Sequence, residues 1–151
     1  MEKEQLGSLL SELYPDLEII TSGESLRVKV KHTSIHDLAT TLRDDSRFRF
    51  DFLFNYYGVD REDRFSIIYW LESIQYRHII VVETDLTDHD NPVIDSLSDL
   101  WKGAQYQERE IYDLMGVRFN NHPDLRRLFL EDGWGFPLRK DYKDDIHVVT
   151  R

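Results

Sequence analysis

Large aromatic side chains occupy every second position from Phe48 to Tyr56, and this row constrains the fold more than any other part of the sequence. Successive side chains of a β-strand point to opposite faces of a sheet, so a period of two predicts a strand with one aromatic face. Such a row is also typical of surfaces that stack bases or a flavin. The net charge of -10 and the lack of a phosphate-binding loop favour a packed sheet face instead.

The order of the neighbouring segments predicts an α+β fold, a two-layer sandwich with one sheet covered by helices on one face. Apolar residues recur at helical spacing in residues 6–13 and again in residues 35–42. Short segments rich in β-branched or aromatic residues predict four more strands, at residues 17–20, 26–30, 65–71 and 78–85. The order is therefore helix, two strands, helix and three strands, with the first two strands forming a hairpin.

We predict C-terminal helices and an extended tail after this sheet. Asp95 or Ser96 is placed to open a helical region, and a charged helix beginning near Ala104 would end at Gly116 in a left-handed cap. Pro123 is well placed as the first residue of another helical turn. On that turn Leu125, Leu128 and Phe129 would face inward, and Arg126 and Arg127 outward. Residues 1–130 would form a single α+β domain, and residues 131–151 a tail that docks on a partner protein.

The charged helix contains an unusual concentration of polar side chains. Glu108 falls on the apolar face with Ala104, Ile111 and Met115, where a carboxylate needs a partner. Arg109, Glu110 and Asp113 occupy another side. Three interpretations are open: a solvated charged face, paired carboxylates for general acid/base catalysis, or a bonded network that locks the helix to the basic tail or to a partner.

Catalysis is the least favoured of the three, because no nucleophile or metal constellation accompanies the carboxylates. His122 is a candidate ligand or proton carrier, although a histidine at a helix entry is more often a hydrogen-bonding group. The chain has no cysteine, which excludes disulfides, thiol catalysis and the usual ligands of iron–sulfur clusters. We therefore predict no catalytic, cofactor or metal site in this chain.

Charge and hydropathy limit the partners of the chain. An acidic body argues against nucleic acid and anionic lipid, both of which require a basic face. Residues 116–143 are mildly basic, with six basic side chains against four acidic ones, and favour an acidic protein groove. The N-terminus is too acidic for a signal peptide and no apolar run approaches the length of a membrane span.

The stretch from Glu108 to Tyr142 resembles the signature of one family, the C subunit of respiratory complex I, the proton-translocating NADH:quinone oxidoreductase. Its three blocks are a Glu-Arg-Glu helix ending at a glycine, a His-Pro-Asp-Leu-Arg-Arg segment, and a terminal Pro-Leu-Arg-Lys-Asp-Tyr segment. Trp101 and Ala104 fit the family's lead-in, whereas Tyr106 and the segment around Trp134 depart from it. The resemblance implies partner-contact roles for Glu108, Arg109, Glu110, Asp113, Gly116, His122, Pro123, Asp124, Arg126, Arg127, Trp134, Pro137, Arg139, Lys140, Asp141 and Tyr142.

The resemblance also implies a cofactor-free component of the peripheral arm, packed against the D subunit, which helps form the quinone pocket. Electrons would pass from NADH through FMN and iron–sulfur clusters in other subunits to quinone. The chain would lie peripherally on the cytoplasmic side of the inner (plasma) membrane without spanning it. Two alternatives remain open: the equivalent component of a membrane-bound hydrogenase or ferredoxin-driven complex, and a stand-alone acid/base enzyme using Glu108, Glu110 and His122.

Overall fold

A mixed five-stranded sheet organises the structure, a computed structural model that describes residues 2–20, 23–130 and 134–142. In chain order the elements are α1 (Lys3–Leu13), β1 (Glu18–Ile20), β2 (Leu26–Lys29), a 3₁₀ turn (His32–Ser34), α2 (Ile35–Asp44), β3 (Phe52–Asp60), β4 (Phe65–Ser73), β5 (His78–Leu86), β6 (Val93–Asp95), α3 (Ala104–Met115) and β7 (Arg118–Asn120). The prediction of an α+β fold with helix, two strands, helix and three strands is confirmed.

The strands of the sheet follow the order β1-β2-β5-β4-β3. β1 and β2 form the predicted hairpin, and β3, β4 and β5 form an antiparallel meander. The two units are joined by parallel pairing of β2 with β5, in which Leu26 lies opposite Ile80. β1 and β3 are therefore the two edges of the sheet.

The core lies between the helices and one face of this sheet. Alternation along β4 directs Phe65, Ile67, Tyr69 and Leu71 to that face, and all four are buried. The helices bury their apolar stripes in the same cluster, with Leu6 and Leu10 from α1, Leu38 and Leu42 from α2, and Ile111 from α3. At about 25 cal/mol per Å² of apolar surface, this burial is the main stabilising contribution to the fold.

The sequence predicted one continuous strand for the aromatic row, and this prediction is wrong. Phe48 and Phe50 precede β3 in a segment tied to α2 by the hydrogen bond from Phe50 N to Leu42 O, and both are fully buried. Phe52 and Phe54 are 46% and 38% exposed, and Tyr56 is buried again. A register shift in the pairing of β3 with β4 between Leu53 and Asn55 separates the exposed pair from Tyr56.

The prediction of a helical region opened by Asp95 or Ser96 is also wrong. Asp95 ends β6, which pairs in parallel with β7, and Leu97 to Trp101 form turns that bury both of those side chains. The Ser96 hydroxyl and the Leu97 N–H donate to the Glu108 carboxylate instead of contributing to a helix. The helical conformation therefore begins only at Ala104.

No helical turn follows Pro123, and the orientations predicted there are reversed for two residues. Phe129 is 68% exposed, whereas the Arg127 side chain is turned inward against α3. The N–H groups of Phe129 and Leu130 donate to Asp113, so these donors are fixed by a side chain of α3. Of the predicted tail, residues 131–133 and 143–151 lie outside the described residues.

Candidate functional site

The signature stretch is organised around α3 and its C-terminal end. Gly116 ends the helix with φ 79°, and its N–H donates to Tyr112 O, which confirms the predicted left-handed cap. A Cβ atom at position 116 would lie 2.7 Å from the ring of Phe136. The glycine therefore both turns the chain and lets Phe136 cover the end of the helix.

Glu108 lies on the buried side of α3, and its carboxylate has the hydrogen-bond partners that burial requires. Its Oε2 accepts hydrogen bonds from the Tyr56 hydroxyl at 2.9 Å and the Leu97 N–H at 2.8 Å, and its Oε1 accepts one from the Ser96 hydroxyl at 2.6 Å. Burial raises the pKa of Glu108, and these three hydrogen bonds oppose the shift. The carboxylate thus connects α3 to β3 and to the turn after β6.

His122 lies beside this carboxylate, with its side chain fully buried. Its Nε2 is 3.8 Å from Oε1 of Glu108 and 3.1 Å from the carbonyl oxygen of Gln105. The Asp124 N–H donates to Nδ1 at 3.0 Å, so the ring proton belongs on Nε2, where it donates to the Gln105 carbonyl. His122 acts here as a hydrogen-bonding group that fixes the chain after β7.

Asp113 and Arg127 form a buried ion pair on another side of α3. Arg127 Nη1 donates to Asp113 Oδ1 at 3.0 Å, and the N–H groups of Phe129 and Leu130 donate to Oδ2 at 2.8 and 3.0 Å. Burial alone would raise the pKa of Asp113, but the two N–H groups and the guanidinium outweigh it and hold this pKa below its usual range. The ionised carboxylate therefore stabilises the segment that follows Pro123.

Two arginines extend this network along the chain. Arg127 Nη2 donates to the carbonyl oxygens of Trp134 and Gly135, and its guanidinium lies 5.1 Å from the ring centroid of Phe136. Arg109 donates to the carbonyl oxygens of Arg126 and Arg127 at 3.2 and 3.0 Å. Arg109 and Asp113 therefore do not form the i, i+4 pair that helical spacing allows. Each joins α3 to the chain beyond it.

Residues 137–140 fasten the last described segment to both α3 and the sheet. Pro137 is buried, the Leu138 N–H donates to Leu114 O, and Arg139 donates to Met115 O while its guanidinium lies 5.2 Å from the ring centroid of Phe65. The Lys140 N–H donates to Asp60, whose other oxygen lies 2.9 Å from His89 Nε2. The His89 ring stacks on Phe65 at 4.4 Å.

Asp60 is the acceptor on which this attachment depends. Burial would raise the pKa of Asp60, but the Lys140 N–H and the His89 ring lower it overall. Asp60, His89, Tyr56 and Ser96 were all missed as site residues by the sequence. Each comes from a different segment than its partner, and a single polar residue gives no signal of its own.

The remaining signature residues lie at the surface. Glu110, Pro123, Asp124, Arg126 and Asp141 are exposed, and Asp124 forms an ion pair with Arg126 at 2.9 Å. Three large apolar side chains of α3 and the chain after it are also exposed: Tyr106, Phe129 and Leu138. Trp134 and Tyr142 are half-buried. The signature thus divides into a buried network and an exposed, mixed polar and apolar surface.

This geometry limits what the carboxylates can do chemically. Glu108 is closed off from solvent, whereas Glu110 lies on a different side of α3 and is exposed, so the two do not face a common substrate position. Within the described residues, no group of three or more His, Asp or Glu side chains is arranged to hold a metal ion. In the same part of the chain, no helix has the length and apolarity needed to span a bilayer.

Comparison with known proteins places the chain in a family. The sequence model described as respiratory-chain NADH dehydrogenase, 30 Kd subunit, matches residues 28–147. The NADH-quinone oxidoreductase C subunit of a Roseiflexus species is 45% identical over 120 residues, which are 77% of this chain and 68% of that protein. The C subunit of Acidothermus cellulolyticus is 38% identical over 150 residues, 92% of this chain and 77% of that protein.

Two further similarities concern larger assemblies. A Phocaeicola vulgatus protein named as a combined C/D subunit of NADH-quinone oxidoreductase is 42% identical over 127 residues, 83% of this chain but only 24% of that protein. A chain in the solved structure of the membrane-bound sulfane sulfur reductase, an archaeal respiratory membrane complex, has the same fold with a TM-score of 0.81. It is 21% identical, with 95% of this chain and 86% of that chain covered.

Proposed function

Because this chain belongs to the family of the 30 kDa subunit of respiratory-chain NADH dehydrogenase, we propose that it scaffolds the D subunit in the peripheral arm of a proton-translocating NADH:quinone oxidoreductase. In that complex, electrons pass from NADH through FMN and iron–sulfur clusters to quinone. The iron–sulfur clusters would belong to other subunits, since a chain without cysteine lacks the thiolates that usually ligate them. We expect FMN in another subunit as well. The chain lies peripherally on the cytoplasmic side of the membrane.

The partnership with a D subunit is supported by the protein named as a combined C/D subunit. A region 42% identical to most of this chain makes up 24% of that protein, so a C-like region and a D-like region share one polypeptide there. Regions joined covalently in one protein often associate as separate chains in another. We therefore expect the D subunit to be the direct neighbour of this chain.

The observation that carries this proposal is the surface formed by the exposed part of the signature, which we call the docking surface. It comprises Glu110, Asp124, Arg126 and Asp141 together with Tyr106, Phe129 and Leu138. Exposed aromatic and apolar groups on the same segment as exposed charged ones are typical of protein interfaces. The buried network of Asp113, Arg127 and Arg139 holds this surface in place without contributing to it.

A point substitution on the docking surface tests the proposal. Phe129 is 68% exposed, and Phe129→Ser keeps the N–H that donates to Asp113, so the isolated chain should keep its thermal midpoint. The variant should recover much less of the D subunit when the tagged chain is purified from cells. The matched control is Leu13→Ser, which removes a 43% exposed apolar side chain from α1 and should recover normal amounts.

Equal recovery of the D subunit by Phe129→Ser and Leu13→Ser would contradict the proposed surface. A point change is a cleaner probe than deletion of residues 131–151, because Phe136 and Arg139 also cover the end of α3.

The composition of the purified complex tests the electron donor. FMN and an NADH-binding subunit are expected, whereas a nickel–iron centre would identify a hydrogenase.

A further inference from the structure

One edge of the sheet is regular and unpaired. β3 is the last strand in the sheet order, and from Asn55 to Asp60 it pairs with β4 without a register shift. In such a ladder, alternate residues point their N–H and C=O groups away from the neighbouring strand. Within residues 2–20, 23–130 and 134–142, no segment pairs with the outer edge of β3.

Beyond the register shift at Leu53 and Asn55, this edge lacks the protection that exposed edges usually have. Edge strands in soluble proteins are commonly short, charged or interrupted by proline, because an open edge pairs with other chains. β1, at the opposite edge, has three residues and contains Glu18. β3 has nine residues and carries no charge or proline from Phe52 to Val59, in a chain that is 32% charged. β3 is therefore the less protected of the two edges.

A groove runs beside this edge, between β3 and α3. Its volume is about 230 Å³, and its lining includes Tyr57, Gly58, Leu114, Met115 and Leu138. A Cβ atom on Gly58 would lie 3.0 Å from the Met115 sulfur, so the glycine lets α3 approach the strand closely. An unpaired strand beside a groove of mixed polar and apolar lining can accept an extended segment as an added strand, with one side chain in the groove.

Glu110 adds a charge requirement at the rim of the groove. Its carboxylate is exposed, and no side chain or N–H among the described residues pairs with it. The other acidic signature residues of α3 are buried and saturated with donors. An incoming segment with Lys or Arg near this point would supply the missing partner.

We infer that an extended segment of the D subunit, carrying a basic residue opposite Glu110, adds to the edge of β3 as a sixth strand. Glu110 and Leu138 belong both to this groove and to the docking surface, so one partner covers both. The inference therefore rests on the proposed function and specifies how the partner binds. Main-chain hydrogen bonds would provide affinity, and the groove and Glu110 would select the segment.

Hydrogen exchange of backbone amides tests the added strand. The full chain is compared alone and in the purified complex with its D subunit. Amides of Asn55–Asp60 that point away from β4 should exchange at least about ten-fold more slowly in the complex, because strand addition gives them acceptors. Amides of β1, the opposite edge, are the control and should change little.

The outcomes separate this inference from the proposed function. An assembled complex in which the β3 amides exchange as fast as in the free chain would overturn the added strand alone. Failure of any D subunit to co-purify would overturn both. Contact through the helix side only would protect α3 and leave β3 unchanged, which also counts against the inference.

A photo-reactive phenylalanine introduced at Asn55 identifies the occupant in the intact complex. Asn55 is exposed on β3, and the same group at exposed Glu18 on β1 is the control. Cross-linking from position 55 to a D-subunit segment that contains Lys or Arg is expected, with none to that partner from position 18. Products that join position 55 to residues 143–151 of this chain, to a second copy, or to nothing would overturn the assignment.

Discussion

At the residue scale, Glu108 shows how one buried carboxylate connects distant parts of the chain. Helical spacing placed it on an apolar face and so required a partner, which the structure supplies. The sequence did not identify Tyr56 as that partner, because the two residues come from different elements and the contact exists only in the folded chain. With three donors on a single carboxylate, truncation to alanine would leave buried groups unsatisfied, each at a cost of about 1–3 kcal/mol.

The raised pKa of Glu108 predicts a specific pH dependence. Burial makes the folded state bind this proton more tightly than the unfolded chain, so Glu108 contributes most below its ordinary pKa of about 4.3. Its contribution falls as pH rises through the folded-state pKa. Glu108→Gln cannot ionise, and its unfolding free energy relative to wild type should therefore increase with pH. Urea unfolding between about pH 4 and pH 8 measures this difference, and parallel pH profiles would show the prediction to be wrong.

At the scale of elements, local patterns located those elements whose backbone hydrogen bonds run to other backbone groups, within a helix or between neighbouring strands. The stripes of α1 and α2, the two long strands β4 and β5, and the end of α3 at Gly116 all follow from spacing within the segment. The helices expected after Asp95 and Pro123 do not form, because side chains of α3 take the N–H groups of Leu97, Phe129 and Leu130. The residue pattern of one segment does not show that a hydrogen-bond acceptor in another segment will compete for its N–H groups.

The two ends of α3 provide a matched pair of glycine substitutions. Gly116→Ala places a Cβ at positive φ and 2.7 Å from Phe136, and should lower the unfolding free energy by about 1–3 kcal/mol. Gly103, at the other end, has φ -61° and ψ -21° and nothing within 4 Å of a Cβ atom. Gly103→Ala should be neutral or stabilising by up to about 1 kcal/mol. Equal midpoints of the two variants in urea unfolding would contradict the prediction that the cap at Gly116 requires glycine.

At the scale of the whole molecule, the chain after α3 folds back over both layers. Arg127 binds it to α3, and Arg139 and the Lys140 N–H bind it to β4 and to the end of β3. The sequence indicated that this stretch needed another surface for its order. One of the three interpretations of the charged helix was a network that binds it to the basic tail, and Arg127 and Asp113 form such a network. The contacts of the tail with Asp60 and Phe65 were not predicted, since neither residue carries a local sign of them. The roles of the signature residues in partner contact stay predictions.

Asp113→Asn tests this attachment. The lowered pKa means that ionised Asp113 stabilises the fold above its unfolded-state pKa of about 3.9, and that this contribution is lost as pH falls through the folded-state pKa. At neutral pH the variant should lose about 3 kcal/mol of unfolding free energy, because Arg127 loses its buried partner. The deficit should shrink in acid. Limited proteolysis should also cut residues 127–130 and 134–142 faster.

The control for that experiment is Asp124→Asn, which changes an exposed pair with Arg126. An exposed pair contributes little to stability, so the control should keep both its unfolding midpoint and its resistance to proteolysis. If Asp113→Asn and Asp124→Asn behaved alike, the buried ion pair would not be what holds this part of the chain.

The parallel pairing of β2 with β5 determines the order in which the sheet can be completed. The meander of β3, β4 and β5 joins strands that are neighbours in the sequence, whereas Leu26 can pair with Ile80 only after the intervening chain has been made. Contacts between distant residues form late, because closing a long loop costs entropy before any pairing is gained. During synthesis the β1–β2 hairpin leaves the ribosome long before β5 exists. β1 and β2 are therefore synthesised first but join the sheet last. Until β5 is available to pair with β2, the apolar face of the hairpin is not covered by the core.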